Sequence, residues 1–463
     1  DNMDNLTGRE LILKLLEDMG YPQNEASIAL DRCGSDASIA ELIDCISAAQ
    51  IARAFDYDDH REKVPYPRIN EEKGQGRVYS VPPGDKKRRL CEAQIRERKR
   101  EKRYENKHED EDDDAIHLPN PMTGFGLPGE TWRGVPRTIP KAAMGPPYFY
   151  FENVALAPKG VWQAMTRFLF DIEPEFVDSQ FFCAANRKRG YIHNLPINGR
   201  FRIEPIPEQT IHTAFPSTRE WWPSWDHRTK LNCIQTCQGS AKLTERIRKA
   251  LEGYDVTPPV KVQKYVMSEC KRWNLVWVGK NSAVPLECSE IEMLLGFPRN
   301  HTRGVGSIQN RLKGLGNSFQ VDTVAYHLSV LKKMFPNGLN VLSLFSGIGG
   351  TEVALHRLGI PLKNVVSVEI CEESRNIVKR WWEQTGQQGN LIHVDDVQDV
   401  DADKLHHFIS EFGGFDLVIG GSPCNNISGS NRYHRNGLEG SHSSLFHDYV
   451  RILNTVKLFM GRT

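Results

Sequence analysis

The sequence predicts an α/β domain with a mainly parallel sheet, preceded by a small helical module and a charged linker. From about Met144 onward, short apolar runs typical of strands alternate with segments of helical periodicity, as in sheets whose parallel strands are connected through helices. Upstream of that point, charged residues, Pro and Gly replace most apolar residues. A chain of 463 residues also exceeds what one hydrophobic core usually serves, so more than one folding unit is expected.

The composition limits the class of protein. Lys and Arg together number 59, as do Asp and Glu, so any nucleic-acid surface must arise from local segregation of charge. The ten cysteines lack paired short spacings and no apolar signal segment precedes the first helix, which favours free thiols in a reducing interior compartment. No run approaches the roughly 20 apolar residues needed to cross a bilayer, so we expect a soluble protein.

Residues 1–50 predict three short helices. Thr7 and Glu10 form a capping-box pattern at the start of the first helix, and Gly20 suits the left-handed position after its end. The second helix opens at Asn24, and the third carries its apolar residues on one side, between residues 39 and 46.

The turn Met19-Gly20-Tyr21 and the length of this module resemble a ubiquitin-associated domain. In that family the turn and the third helix form the apolar patch that meets ubiquitin, so the resemblance implies a ubiquitin contact through Met19, Gly20 and Tyr21. The alternative is a simple three-helix packing unit in which Met19 and Tyr21 belong to the core.

Residues 51–142 predict a linker, because too few apolar residues are present to offset the entropy of ordering. The basic run Lys86-Lys87-Arg88-Arg89 indicates a nuclear import signal or a contact with backbone phosphates. The alternative is a solvated charged helix whose charge is balanced by the acidic run at 109–114.

Residues 143–463 contain a candidate nucleotide-type site. The apolar run 340–345 is followed by Ser346-Gly347-Ile348-Gly349-Gly350 and a helical segment, an arrangement that lets backbone approach a ligand closely. Two further apolar runs end in Glu369 and in Asp395-Asp396, whose carboxylates could accept hydrogen bonds from ribose hydroxyls and an adenine amino group. NAD is the rival ligand, but the loop reads G-x-G-G and not G-x-G-x-x-G.

A candidate nucleophile follows the fourth strand of this series. Residues 415–419 run into Gly420-Gly421-Ser422-Pro423-Cys424, for which a dehydrogenase has no use. Cytosine C5 is too weak a nucleophile to take a methyl group from a sulfonium unless another group first adds at C6, and a thiolate such as that of Cys424 can do this.

A carboxylate and two cations complete the candidate chemistry. Glu152, at the end of a strand predicted at 148–151, could exchange a proton with cytosine N3 and accept from the exocyclic amine. Taken alone, Glu152 is better interpreted as a solvent-exposed carboxylate at a strand end. Arg187 and Arg189 lie near a segment, 179–184, that we predict to be extended, and they could hold a base carbonyl or a phosphate.

Together these segments resemble the motifs of DNA cytosine-C5 methyltransferases. Their order is rotated, because the motifs of Glu152 and Arg187 precede the glycine loop. The rotation and the ubiquitin-associated-like module resemble the plant domains rearranged methyltransferases, de novo enzymes of RNA-directed DNA methylation, over essentially the whole chain. The matching segments are Phe345 to Gly350, Glu369, Asp396-Val397, Pro423-Cys424, Glu152-Asn153-Val154, Arg187 with Arg189, and Gly316-Asn317-Ser318.

The resemblance implies a class I S-adenosylmethionine-dependent methyltransferase fold, Rossmann-like and circularly permuted. Cys424 would attack C6 of the base, and Glu152 would engage N3 and the amine. Arg187 and Arg189 would contact cytosine O2 and steady the loop. S-adenosylmethionine would be held by Phe345, Ser346, Gly347, Ile348, Gly349, Glu369, Ile370, Asp396, Val397, Ser422, Pro423, Asn317 and Ser318.

The target base must be flipped out of the duplex to be reached. Residues 191–278 would form the target-recognition region. Packing is the better expectation for its tryptophans. No metal is expected, since His227, Cys233 and Cys237 lack a fourth ligand at a convincing spacing. The candidate DNA contacts are Arg200, Arg228, Lys230, Gln238 and Ser240.

The predicted function is that of a nuclear enzyme that methylates double-stranded DNA de novo in RNA-directed methylation and gene silencing. Two alternatives stay open, namely a ubiquitin-binding adaptor with an inactive methyltransferase domain and an RNA cytosine-C5 methyltransferase. A homodimer and RNA-silencing effector proteins as partners are expectations from the resemblance alone. The sequence does not indicate a preference among CG, CHG and CHH contexts.

Overall fold

The computed structural model describes residues 8–18, 22–33, 42, 138–157, 160–254, 257–304, 306–424, 438 and 444–461. They fall into two compact units, one within Asp1–Gln94 and the other within Ile95–Thr463.

In the first unit, helices α1 (Gly8–Asp18) and α2 (Gln23–Cys33) correspond to the first two predicted helices. Leu16 and Ala26 are fully buried, so each helix turns an apolar residue inward. Leu42, from the predicted third helix, is buried as well. The turn Met19-Gly20-Tyr21 lies outside the described residues, and the ubiquitin contact stays a prediction.

The second unit is built on a seven-stranded sheet accompanied by a two-stranded hairpin of β4 and β5. The strands are β1 (Tyr148–Val154), β2 (Glu175–Asp178), β3 (Lys188–His193), β4 (Val276–Gly279), β5 (Ser282–Val284), β6 (Leu339–Leu344), β7 (Leu362–Val368), β8 (Asn390–Val394) and β9 (Leu417–Gly420). The large sheet has the order β2-β3-β1-β9-β6-β7-β8. All its pairings are parallel except those of β3 with β1 and β2, which confirms the predicted α/β class.

The direction of the strand order reverses at β6. β7 and β8 extend the sheet on one side of β6, whereas β9 lies on its other side. In open α/β sheets the ligand cleft lies outside the carboxyl ends of the strands at such a reversal. β1 runs parallel to β9, from Tyr148 beside Leu417 to Phe151 beside Gly420, so the loops after β1, β6 and β9 meet at one edge. This adjacency is what the predicted rotation of the motifs requires.

The central strands face two separate apolar cores. Val341 of β6 packs with the helices on one face, and Leu342 and Leu344 pack on the other. Because both faces of β6 are covered, all its residues are buried, and such strands read as continuous apolar runs.

The helices of this unit are α3 (Val161–Phe168), α4 (Ile211–Ala214), α5 (Ala241–Leu251), α6 (Val260–Arg272), α7 (Cys288–Leu294), α8 (Ile308–Asn317), α9 (Val321–Leu328), α10 (Leu331–Met334), α11 (Gly350–Arg357), α12 (Glu372–Gln384), α13 (Ala402–Phe412) and α14 (Leu445–Phe459).

Part of the predicted target-recognition region has an apolar core of its own. Leu243 and Ile247 of α5, Val266 of α6 and Trp277 of β4 pack together there. Ala283 of β5 belongs to the same core, so this lobe continues beyond the predicted end at 278. The packing expected of the tryptophans is seen in Trp222 and Trp225, which also lie against this core.

One predicted element is wrong, because residues 179–184 are not extended. The Asp178 carboxylate accepts a hydrogen bond from the Gln180 amide at 3.1 Å and begins a 3-10 turn at Ser179–Phe181. The strand lies just before this turn, as β2. In the described residues no helix is long and apolar enough to span a membrane. The described cysteines are all free thiols, as the sequence predicts.

Candidate active site

Glu152 and Arg189 form an ion pair where β1 ends and β3 begins, beside the cleft. The two strands are antiparallel, and Val154 is the register partner of Arg189. Arg189 Nε donates to Glu152 Oε1 at 2.9 Å, with only 13% and 12% of the two side chains exposed. Burial raises the pKa of the Glu152 carboxyl, although Arg189 and Arg187 oppose the shift. Glu152 therefore retains a proton to a higher pH than an ordinary glutamate.

The loop after β9 packs directly against this pair. A Cβ added to Gly421 would lie 2.9 Å from the Glu152 carbonyl oxygen and 3.0 Å from Glu152 Oε2, so a side chain at this position would force the loop away. The Asn153 amide group binds Ser422 in the same loop. Residues from the two ends of the domain thus meet.

Cys424 is electrostatically coupled to the same pair. Burial raises the pKa of its thiol, Arg189 and Arg187 lower it and the Glu152 carboxylate raises it. The side chain is partly exposed. The structure therefore brings three of the predicted catalytic residues, Cys424, Glu152 and Arg189, into one site.

Arg187, the fourth predicted catalytic residue, is 3% exposed and is turned toward the protein. Its Nη2 donates to the carbonyl oxygens of Gly316, at 3.2 Å, and of Ser318, and its Nη1 lies 3.8 Å from Cys233 Sγ. Because both of these groups bind protein atoms, a contact of Arg187 with cytosine O2 through them would require these bonds to break, and it stays a prediction. Arg187 ties the start of β3 to the turn after α8.

Cys233 is a component of the site that the sequence did not indicate. Its spacing to other possible ligands suggested only an incomplete zinc set. Burial alone opposes ionisation of the thiol, but the adjacent Arg189 and Arg187 lower its pKa overall. No cluster suited to a metal ion occurs in the described residues, and Cys233 is better understood as a partner of the two arginines.

The glycine loop after β6 is shaped to receive a ligand. Phe345, Gly347 and Gly349 all have positive φ, which folds the backbone tightly between β6 and α11. Glu369, at the end of β7, accepts from the Gly347 amide and the Cys371 amide, both at 2.9 Å. A Cβ added to Gly347 would meet nothing nearer than 4.0 Å, so open space adjoins the loop beside a fixed carboxylate. These features fit a nucleoside-containing cofactor.

Ser346 and Ile348 hold the loop in place. The Ser346 hydroxyl lies 2.7 Å from that of Ser367. The Ile348 side chain is buried in the core, and its carbonyl oxygen accepts from His301 Nε2 at 2.7 Å. The predicted role of Ile348 is thereby limited to its backbone.

The remaining predicted cofactor residues differ in exposure. Ile370 is 73% exposed, whereas Val397 is buried. Asp396 accepts from the Gln398 amide at 2.9 Å through Oδ1, which leaves Oδ2 for a ligand. Ser318 is buried and its hydroxyl donates to the Leu315 carbonyl at 2.8 Å. Asn317 is exposed, Ser422 is buried and Pro423 is half-buried.

Phe319 lies between the two ligand loops and was missed from the sequence. A Cβ on Gly350 would lie 3.1 Å from Phe319 Cβ, and one on Gly421 would lie 3.3 Å from Phe319 Cε1. The ring therefore fills the floor between the glycine loop and the loop of Cys424. A lone phenylalanine beside a polar motif carries no sequence signal that distinguishes it from a core residue.

Two predicted DNA contacts, Arg200 and Arg228, lie in buried ion pairs. Arg200 pairs with Glu175 at 2.7 Å, with 2% and 0% of their side chains exposed, and Arg228 pairs with Asp226 at 2.8 Å, again buried. Arg228 also lies over the Trp222 ring, 5.1 Å from its centroid. Both arginines bind internal carboxylates, so contact with a phosphate would require these pairs to break, and it stays a prediction.

The other three predicted DNA contacts lie nearer the surface. Lys230 Nζ donates to the carbonyl oxygens of Gln180, at 2.6 Å, and Cys183, at 3.1 Å. Gln238 donates to the Leu286 carbonyl. Ser240 is exposed and caps α5 by accepting from the Leu243 amide at 3.3 Å. Their contact with DNA stays a prediction.

Comparison with known proteins identifies the family. A family model described as C-5 cytosine-specific DNA methylase matches residues 339–457. The chain is 54% identical over 474 residues to DNA (cytosine-5)-methyltransferase DRM2 of Oryza sativa subsp. japonica, a match that covers 100% of this chain and 75% of the relative. It is 56% identical over 456 residues to DNA (cytosine-5)-methyltransferase DRM2 of Arabidopsis thaliana, covering 97% and 68%.

The chain belongs to the domains rearranged methyltransferase family. A further relative, the probable inactive DNA (cytosine-5)-methyltransferase DRM3 of Oryza sativa subsp. japonica, is 37% identical over 468 residues and is covered to 68%. Membership of the domains rearranged methyltransferase family implies S-adenosylmethionine as the methyl donor. The segment matched by the family model contains Cys424 but not Glu152 or Arg189, which the pairing of β1 with β9 brings to it.

Proposed function

We propose that this protein is an active DNA (cytosine-5)-methyltransferase that acts on a flipped cytosine through Cys424. The observation that carries the proposal is the meeting of the Glu152–Arg189 ion pair with the loop of Cys424 at one edge of the sheet. The same edge carries the glycine loop and Glu369. One cleft thus contains a nucleophile, a proton donor and a cofactor loop, as cytosine methylation requires.

Glu152 suits a role at the N3 edge of the base. Its raised pKa means that the carboxyl can carry a proton and donate it to N3, and the other oxygen can accept from the exocyclic amine. Arg189 holds the carboxyl in place through Nε, and its charge is suited to cytosine O2. We assign the contact with O2 to Arg189 and a positioning role to Arg187.

Cys424 adds to the ring at the moment when its proton leaves. Because burial raises the pKa of the thiol, little thiolate exists beforehand, and proton removal must accompany the formation of the bond from Sγ to C6. Protonation at N3 by Glu152 takes up the charge that this addition places on the ring. S-adenosylmethionine, when bound, supplies the methyl group that C5 then attacks. Loss of the C5 proton and expulsion of Sγ restore the aromatic base.

Residues of the glycine loop and its neighbours would hold S-adenosylmethionine. Glu369 would accept from the ribose hydroxyls, and Asp396 from the adenine amino group through its free oxygen. Phe345, with Phe319 below, supplies apolar surface beside the loop. The remaining contacts would come from Ser346, Gly347, Gly349, Ile370, Val397, Asn317, Ser318, Ser422, Pro423 and the backbone of Ile348.

Family membership alone does not decide activity, because relatives described as probable inactive are 37% and 42% identical to this chain. Cys424, Glu152, Arg189 and the glycine loop are all present here, which supports activity over an adaptor with an inactive domain. The match to DNA methyltransferases favours DNA over RNA as the substrate.

The finer parts of the proposal rest on the family resemblance. We propose a nuclear location, de novo methylation of double-stranded DNA in RNA-directed silencing, and silencing effectors and a second copy of the chain as partners. Residues 1–50 would form a ubiquitin-associated domain that binds ubiquitin through Met19, Gly20 and Tyr21. Residues 51–142 would link it to the methyltransferase domain at 143–463, with target recognition centred on 191–278.

A covalent-trapping assay tests the proposal directly. The full chain is incubated with S-adenosylmethionine and a duplex containing a C5-fluorinated cytosine, which blocks release because fluorine cannot leave as the proton does. We expect a denaturation-resistant DNA adduct that disappears in Cys424→Ser. Cys371→Ser, a change at another exposed thiol, is the matched control. An adduct that persists without Cys424, or its absence from the folded wild-type protein, contradicts the proposal.

A further inference from the structure

Glu352 is a fully buried carboxyl group directly behind the glycine loop. It lies in the first turn of α11, and its side chain is 0% exposed. A Cβ added to Gly349 would lie 3.6 Å from Glu352 Oε2. The carboxyl group therefore lies against the backbone of the loop that is proposed to hold the cofactor.

Neither oxygen of Glu352 makes a hydrogen bond of ordinary geometry with the described residues. The groups that favour its charged form are its own amide and the Ser343 hydroxyl of β6. A glutamate three residues into a helix often binds back to the cap residue, but no side chain caps α11. The Gly349 amide donates to the Ser346 carbonyl at 3.0 Å instead. Stabilisation of the fold does not account for a carboxyl group in this position.

Among the residues that the structure describes, the elements packed near Glu352 offer it no cation. On α9, Asp322 pairs with Arg357 at 2.9 Å, and His327 lies beside Glu175. On α12 the nearest neighbour of the loop is the apolar Val378, and His301 is bound to the Ile348 carbonyl. None of these charged or titratable groups is among those that shift the pKa of Glu352, which burial raises to about 7. At neutral pH the carboxyl group is thus divided between its protonated and ionised forms.

We propose that Glu352 is a positioning residue that complements the positive charge of the bound cofactor and loses its proton when the cofactor binds. S-adenosylmethionine carries a sulfonium and an ammonium group, and a cation beyond the thin glycine loop stabilises the carboxylate in a poorly solvated setting. The proton passes to the buffer. The inference rests on the proposed function, since it requires the cofactor at this loop.

The proposal predicts that cofactor affinity rises with pH. The ionised form of Glu352 binds the cation more strongly, so the dissociation constant falls as pH rises through about 7. The dissociation constant changes by about tenfold for each unit by which the cofactor lowers the pKa of Glu352. Carboxylates of ordinary pKa are already ionised in this range and add nothing.

Calorimetric titration without DNA provides a readout that does not depend on catalysis. S-adenosylmethionine is titrated into the full chain at pH 7 in phosphate and in Tris, whose ionisation enthalpies differ widely, and the difference in heat gives the number of protons released. We expect a fraction of one proton from the wild-type protein and none from Glu352→Gln. Glu372→Gln, which removes an exposed carboxylate at the start of α12, should behave as the wild type.

A second ligand shows which cation is responsible. S-adenosylhomocysteine keeps the ammonium group but lacks the sulfonium charge. Proton release with both ligands assigns the effect to the ammonium group. Proton release with S-adenosylmethionine alone assigns it to the sulfonium group. Both results support the proposal. If Glu352→Gln does not fold, the wild-type protein still provides the test through its proton release and the dependence of its affinity on pH.

Two results overturn the proposal. One is cofactor binding to the wild-type protein without proton release, which leaves the proposed function intact. The other is undiminished release from Glu352→Gln, which places the proton elsewhere. Failure of the folded wild-type protein to bind either ligand at any pH contradicts the cofactor site itself and so is distinguishable from both.

Discussion

Asn153 and Ser422, 269 positions apart in the sequence, are joined through the side chain of Asn153. Its Nδ2 donates to the Ser422 carbonyl at 3.2 Å and to the Ser422 hydroxyl at 3.3 Å. Asn153 is fixed in turn, since its Oδ1 accepts from the Val154 amide at 2.8 Å. The residue after Glu152 thus sets the path of the loop that ends in Cys424.

Asn153→Ala should slow methyl transfer more than it weakens cofactor binding. Loss of a buried hydrogen-bonding group costs about 1–3 kcal/mol, and a displaced Cys424 should lower the rate about tenfold or more. Single-turnover transfer to DNA measures the effect. Ser422→Ala is the matched control, because it keeps the carbonyl acceptor and should have a smaller effect. Equal effects from both variants would contradict this account.

The rate of methyl transfer should rise with pH. Because burial raises the pKa of the Cys424 thiol, the thiolate fraction keeps increasing from about pH 7 to 9. As long as Glu152 keeps the proton that it donates to N3, the single-turnover rate constant should rise by nearly tenfold per pH unit. The measurement needs saturating cofactor and DNA at each pH. A flat profile would show that removal of the thiol proton does not limit the rate.

Arg187→Ala and Arg189→Ala should fail in different ways. Removal of the Arg187 side chain leaves the carbonyl groups of Gly316 and Ser318 without their donor, which should lower the free energy of unfolding by about 3 kcal/mol. Arg189 pairs with Glu152 at the cleft, and the Glu152 carboxyl group can take up a proton when the arginine is gone, so loss of Arg189 should reduce turnover more than stability. Urea denaturation and single-turnover kinetics on both variants check this division. A stable Arg187→Ala enzyme with a defect confined to turnover would reverse the assignment.

Arg200→Ala should destabilise the domain without changing the affinity for DNA. Removing one partner of a buried ion pair costs about 3–5 kcal/mol, and the Arg200 side chain is 2% exposed. Urea denaturation gives the free energy of unfolding. Fluorescence anisotropy with a labelled duplex, below the unfolding transition, gives the affinity for DNA. A weaker affinity with unchanged stability would restore Arg200 as a DNA contact.

The ion pair of Arg200 with Glu175 makes the stability of the fold depend on pH. Burial alone would raise the pKa of Glu175, but Arg200, His327 and His193 hold it well below its ordinary value. A carboxyl group with a lowered pKa stabilises the fold above its unfolded pKa, and this contribution is lost as the pH falls toward the folded pKa. The loss of stability from neutral to acidic pH should therefore be smaller in Glu175→Gln than in the wild type. Identical slopes for the two proteins would contradict the shift.

The sheet could be predicted well because each central strand corresponds to a recognisable pattern in the sequence. β6 and β9 are covered on both faces and read as short apolar runs with a polar or glycine-rich end. β2 has no such pattern, since it contains Glu175, whose burial depends on Arg200. The predicted strand at 179–184 failed because a single side chain, Asp178, turns the chain there.

The candidate site likewise contains some residues that the sequence could predict and others that it could not. Cys424, Glu152, Arg189 and Glu369 could be predicted because each belongs to a recognisable motif. The burial of Arg200 and Arg228 could not be predicted, because a sequence shows positive charges but not the carboxylates that they meet after folding. The parts played by Phe319 and Cys233 depend wholly on neighbours from distant segments, and neither residue type in isolation indicates them.

The parallel pairing of β1 with β9 has a consequence for synthesis on the ribosome. Until β9 emerges, β1 has no neighbour on that side, and the half of the sheet with the glycine loop cannot join the half that carries Glu152. A nascent or prematurely ended chain therefore presents two open strand edges at what should become the centre of the domain, and such edges invite pairing with other chains. Loss of the last strand should yield aggregation during biosynthesis, and not a soluble domain that merely lacks its nucleophile.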